Sequence, residues 1–168
     1  SSDNTQNVSG NAGNDAAGSA QYNVLIGCDA GEKVLSDDNI FIGRAAGRKT
    51  TTGHSNVFVG TFAGCNFVGN FNNVALGMQA GKNLTTGSNN TLIGAYAGGF
   101  LGGCITGYSN IALGPQVCLP NPAANNQLAI GAGATTWITG NANWNVGIGT
   151  QDPDAPVGAG VTAKLSVG

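Results

Sequence analysis

Apolar residues recur along this chain in short runs with a nearly fixed spacing. A five-residue segment of the form Asn-x-x-x-Gly, with mainly apolar residues in the middle, occurs seven times, and an eighth copy begins with Gln127. The eight glycines are 16 to 20 residues apart, most often 17; they are Gly27, Gly43, Gly60, Gly77, Gly94, Gly114, Gly131 and Gly149. Short runs rich in β-branched residues predict strands, and their regular recurrence predicts a repeat protein.

Two further signatures keep the same phase as the strand segments. An Ala-Gly pair begins three residues after the glycine in the first five units, from Ala30-Gly31 to Ala97-Gly98, and turns such as Thr51-Thr52-Gly53 follow. At about 3.3 Å per residue, such a unit is long enough to close one flattened coil. The pattern predicts an all-β fold with essentially no helix, namely a parallel β-solenoid of about eight 17-residue coils.

The polar residue that opens each segment is Asn in all but one unit. Stacked coils would bring these side chains into one column, where their amides can bond between coils or cap turn backbone. The predicted structural ladder consists of Asn23, Asn39, Asn56, Asn73, Asn90 and Asn110.

The middle residue of each segment is apolar, and so are most of the residues on either side of it. A strand with one wet face would alternate apolar and polar residues, so both faces of these strands are predicted to be buried. One face fills the coil, and we expect a partner chain to cover the other, because a large exposed apolar patch is unusual. The residues predicted at this interface are Leu25, Phe41, Phe58 and Leu92. The pattern indicates a homo-oligomer and leaves two or three subunits open.

Composition narrows the possible functions. Glycine accounts for 29 of the 168 residues, charged residues for only 8%, and the formal charge is −2. This balance offers no electrostatic footprint for nucleic acid. No apolar run approaches the roughly 20 residues that span a bilayer, and no basic-then-apolar signal pattern opens the chain.

Candidate chemistry is sparse. The four cysteines, Cys28, Cys65, Cys104 and Cys118, fall in different phases of the repeat and include no Cys-x-x-Cys pair; Cys104 and Cys118 could form a disulfide in an external protein, and free thiols are the alternative. The single histidine, His54, has no acidic neighbour in sequence. A catalytic triad or a zinc site needs more than this, so we expect no enzyme activity, no metal and no cofactor.

The repeat resembles a known class of fibre proteins. The cycle of Asn73-Val-Ala-Leu-Gly77, Ala80-Gly81 and Thr85-Thr-Gly-Ser-Asn-Asn90 is similar to repeats of phage tail fibres and bacterial surface fibres and, more loosely, to the heads of trimeric autotransporter adhesins. The resemblance implies a homotrimer with a left-handed β-roll, located outside the cell on a virion or cell-surface fibre.

A second resemblance lies near the C-terminus. Asn145-Val-Gly-Ile-Gly-Thr150, Pro153 and Ala163-Lys-Leu-Ser-Val167 resemble the linker that precedes a C-terminal endosialidase-type intramolecular chaperone, although residues 154–162 add length to the usual spacing. We therefore divide the chain into a lead-in or degenerate first coil (1–20), a repeat body (21–150) and a neck (151–168) that leads to a further domain.

Two classes of function are compatible with this pattern. The first is a non-enzymatic structural and adhesive fibre module that recognises or presents a tip to a host or prey cell surface. The second is a carbohydrate- or ice-binding solenoid. For a cell-surface glycan or protein receptor, the candidate binding residues are the aromatics Tyr96, Tyr108, Trp137 and Trp144, because aromatic rings stack on sugars.

Overall fold

The computed structural model of the chain describes residues 21–99, 105–150 and 152–154, together with the backbone of a strand at 6–8. Ten strands are present: β1 (Gln6–Val8), β2 (Val24–Ile26), β3 (Ile40–Ile42), β4 (Val57–Val59), β5 (Val74–Leu76), β6 (Thr91–Ile93), β7 (Ile111–Leu113), β8 (Leu128–Ala132), β9 (Thr135–Gly140) and β10 (Val146–Ile148). The remainder of the predicted lead-in and most of the predicted neck lie outside the described residues, as does Cys104.

The strands form one sheet in chain order, and β1 to β8 pair in parallel. Equivalent repeat positions lie next to one another, as in the pairs Leu25 with Phe41 and Phe41 with Phe58. The prediction of an all-β solenoid is confirmed: the described residues contain no helix and form about six turns. Each turn holds one strand because positive-φ residues bend the chain on both sides of it, as at Ser55 (φ 57°) and Gly60 (φ 133°) around β4.

The last predicted unit does not stack as a parallel coil. The chain reverses at Gly133, and β9 pairs antiparallel with both β8 and β10, with an irregularity at Ile130 and Gly131. The expected count of about eight coils was therefore too high for this region. The end of the solenoid is a short antiparallel meander, because the residues that follow Gly133 form the additional strand β9 instead of travelling round the coil.

The interior of the coil is filled from two opposite walls. The middle residue of each strand points inward, and Phe41 and Phe58 are 0% exposed within the single chain. The opposite wall is the position seven residues after the segment glycine, occupied by Val34, Thr50, Phe67 and Leu84, all of which are buried. Phe58 and Phe67 meet across the coil in an edge-to-face contact with ring centroids 5.3 Å apart.

This arrangement corrects the predicted subunit interface. Leu25, Phe41, Phe58 and Leu92 form part of the core of one chain and are not available to a partner. The prediction was wrong because a strand of three residues places only its middle residue inside. Side chains alternate between the two faces of a strand, so the two flanking residues point outward.

The asparagines predicted as a ladder lie in one buried column. The side-chain Oδ1 of each accepts a hydrogen bond from the backbone N–H of the next, as from Asn73 to Asn56 (3.0 Å) and from Asn90 to Asn73 (3.0 Å). The series runs without a break from Asn23 to Gln127. Each coil therefore fixes the position of the next by a buried polar contact as well as by sheet pairing.

Candidate functional site

The surface with the clearest functional character is the outer side of the sheet, which we call the outward face. It carries two columns of side chains, one on each side of the buried middle position. The first column is Val24, Ile40, Val57, Val74, Thr91, Ile111 and Leu128, and the second is Ile26, Ile42, Val59, Leu76, Ile93, Leu113 and Ile130. All of these residues are partly exposed, and the most exposed are Ile40, Ile93 and Ile111, at 36–40%. Thirteen of the fourteen are apolar and none is charged.

The outward face continues over the antiparallel end of the sheet. In the register of β8, β9 and β10, Ile130 is paired with Ile138 and Ile138 with Ile148. Directly paired residues of neighbouring strands point to the same side of a sheet. The second column therefore contains nine successive branched aliphatic residues, and Val146, 65% exposed, extends the first.

The first column is interrupted at one position. Gly140 lies between Leu128 and Val146 in the paired register, so no side chain fills that place. An open cleft of about 440 Å³ lies here, and its walls include Ile111, Leu128, Val146 and Trp144. We call this cleft the Gly140 notch. Its rim carries polar groups of Ser109, Asn126 and Asn145.

Trp144 stands beside the notch on a tightly held turn. Its backbone N–H donates to the carbonyl of Asn141 (3.1 Å), and its φ is 67°. Asn141 Oδ1 accepts from the backbone N–H groups of Asn143 and Asn145, and the Asp154 carboxylate accepts from the side-chain amides of Asn141 and Asn145. The indole is 93% exposed. The turn therefore presents a large apolar side chain to solvent from a hydrogen-bonded base.

The four aromatic residues predicted to bind a ligand do not form one site. Trp137 is exposed on β9, and Tyr108 is exposed at a turn where its backbone N–H donates to Asn125 Oδ1 (2.9 Å). Tyr96 lines a separate cavity of about 170 Å³, where its hydroxyl lies 3.4 Å from Gln79 Nε2. Of the four, only Trp144 lines the Gly140 notch.

The arrangement around His54 does not bring catalytic partners together. The imidazole stacks on Phe71 with ring centroids 5.4 Å apart, and its Nδ1 lies 3.2 Å from Ser55 Oγ. Asp37, one coil away, accepts a hydrogen bond from the backbone N–H of Gln21 instead (2.7 Å). Within the described ranges, no group of three His, Cys, Asp or Glu residues could hold a metal ion.

The described cysteines differ in their surroundings. Cys28 is exposed, Cys118 is half-buried and Cys65 is buried. Burial raises the pKa of the Cys65 thiol, while the positive charges of Lys82, Arg48 and Lys49 act in the opposite direction. Desolvation also raises the pKa of Cys28, with a smaller contribution from the charge of Asp29. A raised pKa favours the unreactive thiol form, which is not what a nucleophilic site needs.

Sequence reasoning missed the outward face because it assigned the wrong residues to it. A usable signal for the inward direction was present at the middle position of the strands. The side chain there changes in size from Phe58 to Ala75 and Ala129, as expected for a confined interior. The flanking columns keep branched aliphatic residues of similar size.

Fold and surface together define this chain as a β-solenoid with an uncovered apolar sheet face. No family model, no curated protein and no solved structure matches the chain. In the part of the chain that the structure describes, no helix is long and apolar enough to cross a membrane.

Proposed function

We propose that this chain is a non-enzymatic structural and adhesive module of an extracellular fibre, on a virion or a cell surface. In this proposal three copies of a left-handed roll associate through their outward faces and present a tip to a host or prey cell. The observation that carries the proposal is the outward face itself. It is an apolar strip free of charge over nine strands, of the kind that an obligate oligomer buries.

The outward face differs in composition from the exposed side of the coil opposite to it. There, the position eight residues after the segment glycine holds Leu35, Thr51, Val68 and Thr85, so apolar and polar residues alternate from coil to coil. The outward face, by contrast, has a single Thr among its strand residues. This contrast favours the outward face over the opposite side as the surface that meets another copy.

The subunit interface can be tested with charged substitutions. Ile42→Lys with Ile93→Lys places two charges on the outward face, and we expect light scattering to report a monomer in place of a trimer. The monomer should keep its β circular dichroism, because the core lies within one chain. The matched control is Leu35→Lys with Val68→Lys on the opposite side, which should remain trimeric. A wild-type monomer at all concentrations would contradict the proposal.

Adhesion can be tested with the same proteins. A trimer presents three copies of any weak binding site, and this multiplies the apparent affinity for a surface. We expect the wild type and the Leu35→Lys, Val68→Lys control to bind target cells, and the monomeric variant to bind far less. Equal binding by trimer and monomer would argue against a multivalent adhesive role.

The alternative function is a carbohydrate- or ice-binding solenoid. Ice binding needs a regular rank of threonines, and the position eight residues after the segment glycine holds Thr51 and Thr85 in alternate coils, with Val68 between them. We therefore expect no thermal hysteresis from the trimer. A clear hysteresis that Thr51→Leu with Thr85→Leu abolishes would favour the alternative.

A further inference from the structure

The outward face contains the Gly140 notch, and the exposed side chain of Trp144 lies next to it. Gly140 leaves the first column empty between Leu128 and Val146, and Trp144 projects beside that gap with 93% of its surface exposed. A tryptophan this exposed is uncommon, because indole carries a large apolar area that water does not favour. Interface hot spots are enriched in Trp and lie in well-packed pockets, so an exposed Trp next to an apolar notch has the chemistry of an anchor and its pocket.

The area of the outward face indicates why an anchor is needed. Nine strands about 4.8 Å apart and three residues wide make a strip of about 40 by 10 Å, or about 400 Å² on each copy. In a trimer each face is shared between two neighbours, so each pair of copies buries about 400 Å² in total, well below the roughly 1,000 Å² expected of a specific interface. An indole contributes about 150–250 Å², and the notch that receives it contributes a similar area. Together they bring each pair to about 800 Å² and the whole trimer to about 2,400 Å².

The chemistry of the notch indicates what occupies it. Ile111, Leu128 and Val146 form an apolar wall, and no lining residue is charged. The notch is continuous with the apolar columns on which a second copy would lie. A second copy therefore brings its own projecting indole to a surface of matching character, with no unpaired charge to bury.

We infer that Trp144 of one copy packs into the Gly140 notch of a neighbouring copy, and that repetition around the symmetry axis locks the ends of the subunits together. This inference rests on the proposed assembly through the outward face and adds the residue that anchors it. The hydrogen bonds from Asn141 and Asn145 to Asp154 then have a clear role, since they hold the turn in the shape that presents the indole.

Fluorescence tests the inference directly. In Trp137→Phe protein, Trp144 is the sole tryptophan of the chain. We expect its emission in the assembled protein to be blue-shifted and protected from acrylamide, and to become that of a water-exposed indole when Ile42→Lys with Ile93→Lys separates the subunits. An exposed, fully quenchable Trp144 in an intact trimer overturns the inference and leaves the proposed fibre role standing. A wild-type monomer overturns both.

A mutant cycle between the anchor and the notch gives a second test. Trp144→Ala and Gly140→Leu, which fills the notch, should each raise the dissociation constant of the assembly roughly tenfold or more. The double variant should be no weaker than the worse single variant, because both remove the same contact. Trp137→Ala, which removes the other exposed tryptophan, is the matched control and should dissociate like the wild type. Independent, additive effects of the two substitutions would contradict a direct contact.

Discussion

Phe41 and Phe58 stack face to face inside the solenoid, with ring centroids 5.1 Å apart and 9° between the ring planes. The two residues occupy the same position in successive coils and are completely buried by their own chain. Because this stack lies within one chain, folding of the coil and association of subunits use different side chains. The two processes can therefore be changed separately.

The first prediction concerns that stack. Phe58→Ala removes contacts with both Phe41 and Phe67, and we expect it to lower the free energy of unfolding by about 3–5 kcal/mol. Chemical denaturation followed by circular dichroism measures this change. Phe71→Ala is the control, since Phe71 is 41% exposed and stacks on the single ring of His54, and it should cost clearly less than Phe58→Ala. A similar loss in both variants would contradict the packing described for Phe58.

The second prediction concerns a buried hydroxyl. Thr50 lies in the inner wall between Val34 and Phe67, and its Oγ1 is buried without a hydrogen-bond partner. Thr50→Val keeps the shape and removes the unsatisfied polar atom, so we expect a gain of about 1 kcal/mol in stability.

The neighbouring threonine provides the control for this gain. Thr51 Oγ1 donates to the carbonyl of Val68 (3.0 Å), so Thr51→Val loses a hydrogen bond and should bring no gain. Thermal denaturation of the two variants separates these outcomes. If Thr50→Val melts below the wild type, its hydroxyl has a partner in solution.

The third prediction concerns the asparagine column. Asn56 donates to Asn39 Oδ1 and to the carbonyls of His54 and Asn70, and it accepts from the backbone of Asn73. Asn56→Ala leaves several buried groups without partners and should cost about 3 kcal/mol or more.

An exposed asparagine serves as the comparison for the column. The side chain of Asn72 makes only an exposed bond to Asn89 (3.3 Å) among the described hydrogen bonds. Its φ is 58°, so Asn72→Ala should cost about 1 kcal/mol, mainly from backbone strain. Urea titration of both variants measures the difference. Nearly equal midpoints would show that the column contributes little.

The fourth prediction concerns the close stacking of coils at the segment glycines. Gly43 has φ 126°, and a Cβ there would lie 2.7 Å from the carbonyl carbon and oxygen of Gly60 in the next coil. Gly43→Ala should therefore cost about 3 kcal/mol from strain and steric conflict. Gly133 also has a positive φ of 59° but has open space around it, so Gly133→Ala should cost only about 1 kcal/mol. Melting temperatures in the reverse order would contradict the stacking.

The fifth prediction concerns Cys65. Its raised pKa means that the folded state favours the neutral thiol, so this contribution to stability is complete below the pKa of the unfolded chain and is lost as pH rises through the higher folded pKa. Cys65→Ala should therefore show a smaller loss of stability between neutral and alkaline pH than the wild type. Iodoacetamide should label exposed Cys28 before Cys65 in the native protein, and both equally in guanidinium chloride. Early labelling of native Cys65 would show that it is accessible.

The sequence by itself determined the repeat, the strand positions and the stacking of equivalent residues. It could do so because each feature is local and recurs: the Asn before β4, the glycine after it and the Ala63-Gly64 corner all appear again one coil later. When one coil is placed on the next, the identical phase of Asn39, Asn56 and Asn73 is enough to predict their column.

Only the tertiary structure decided which residues point inward. Phe58 and its neighbours Val57 and Val59 are all apolar, so within one strand hydrophobicity does not distinguish the core from the outward face. The bend at the corners fixes that choice by turning the middle residue of a three-residue strand inside. The sequence also could not predict the end of the solenoid, because the pairing of Gly140 with Leu128 and Val146 depends on the reversal of the chain at Gly133. That reversal places Trp144 beside the notch, and a repeat pattern contains no information about contacts made where the repeat ends.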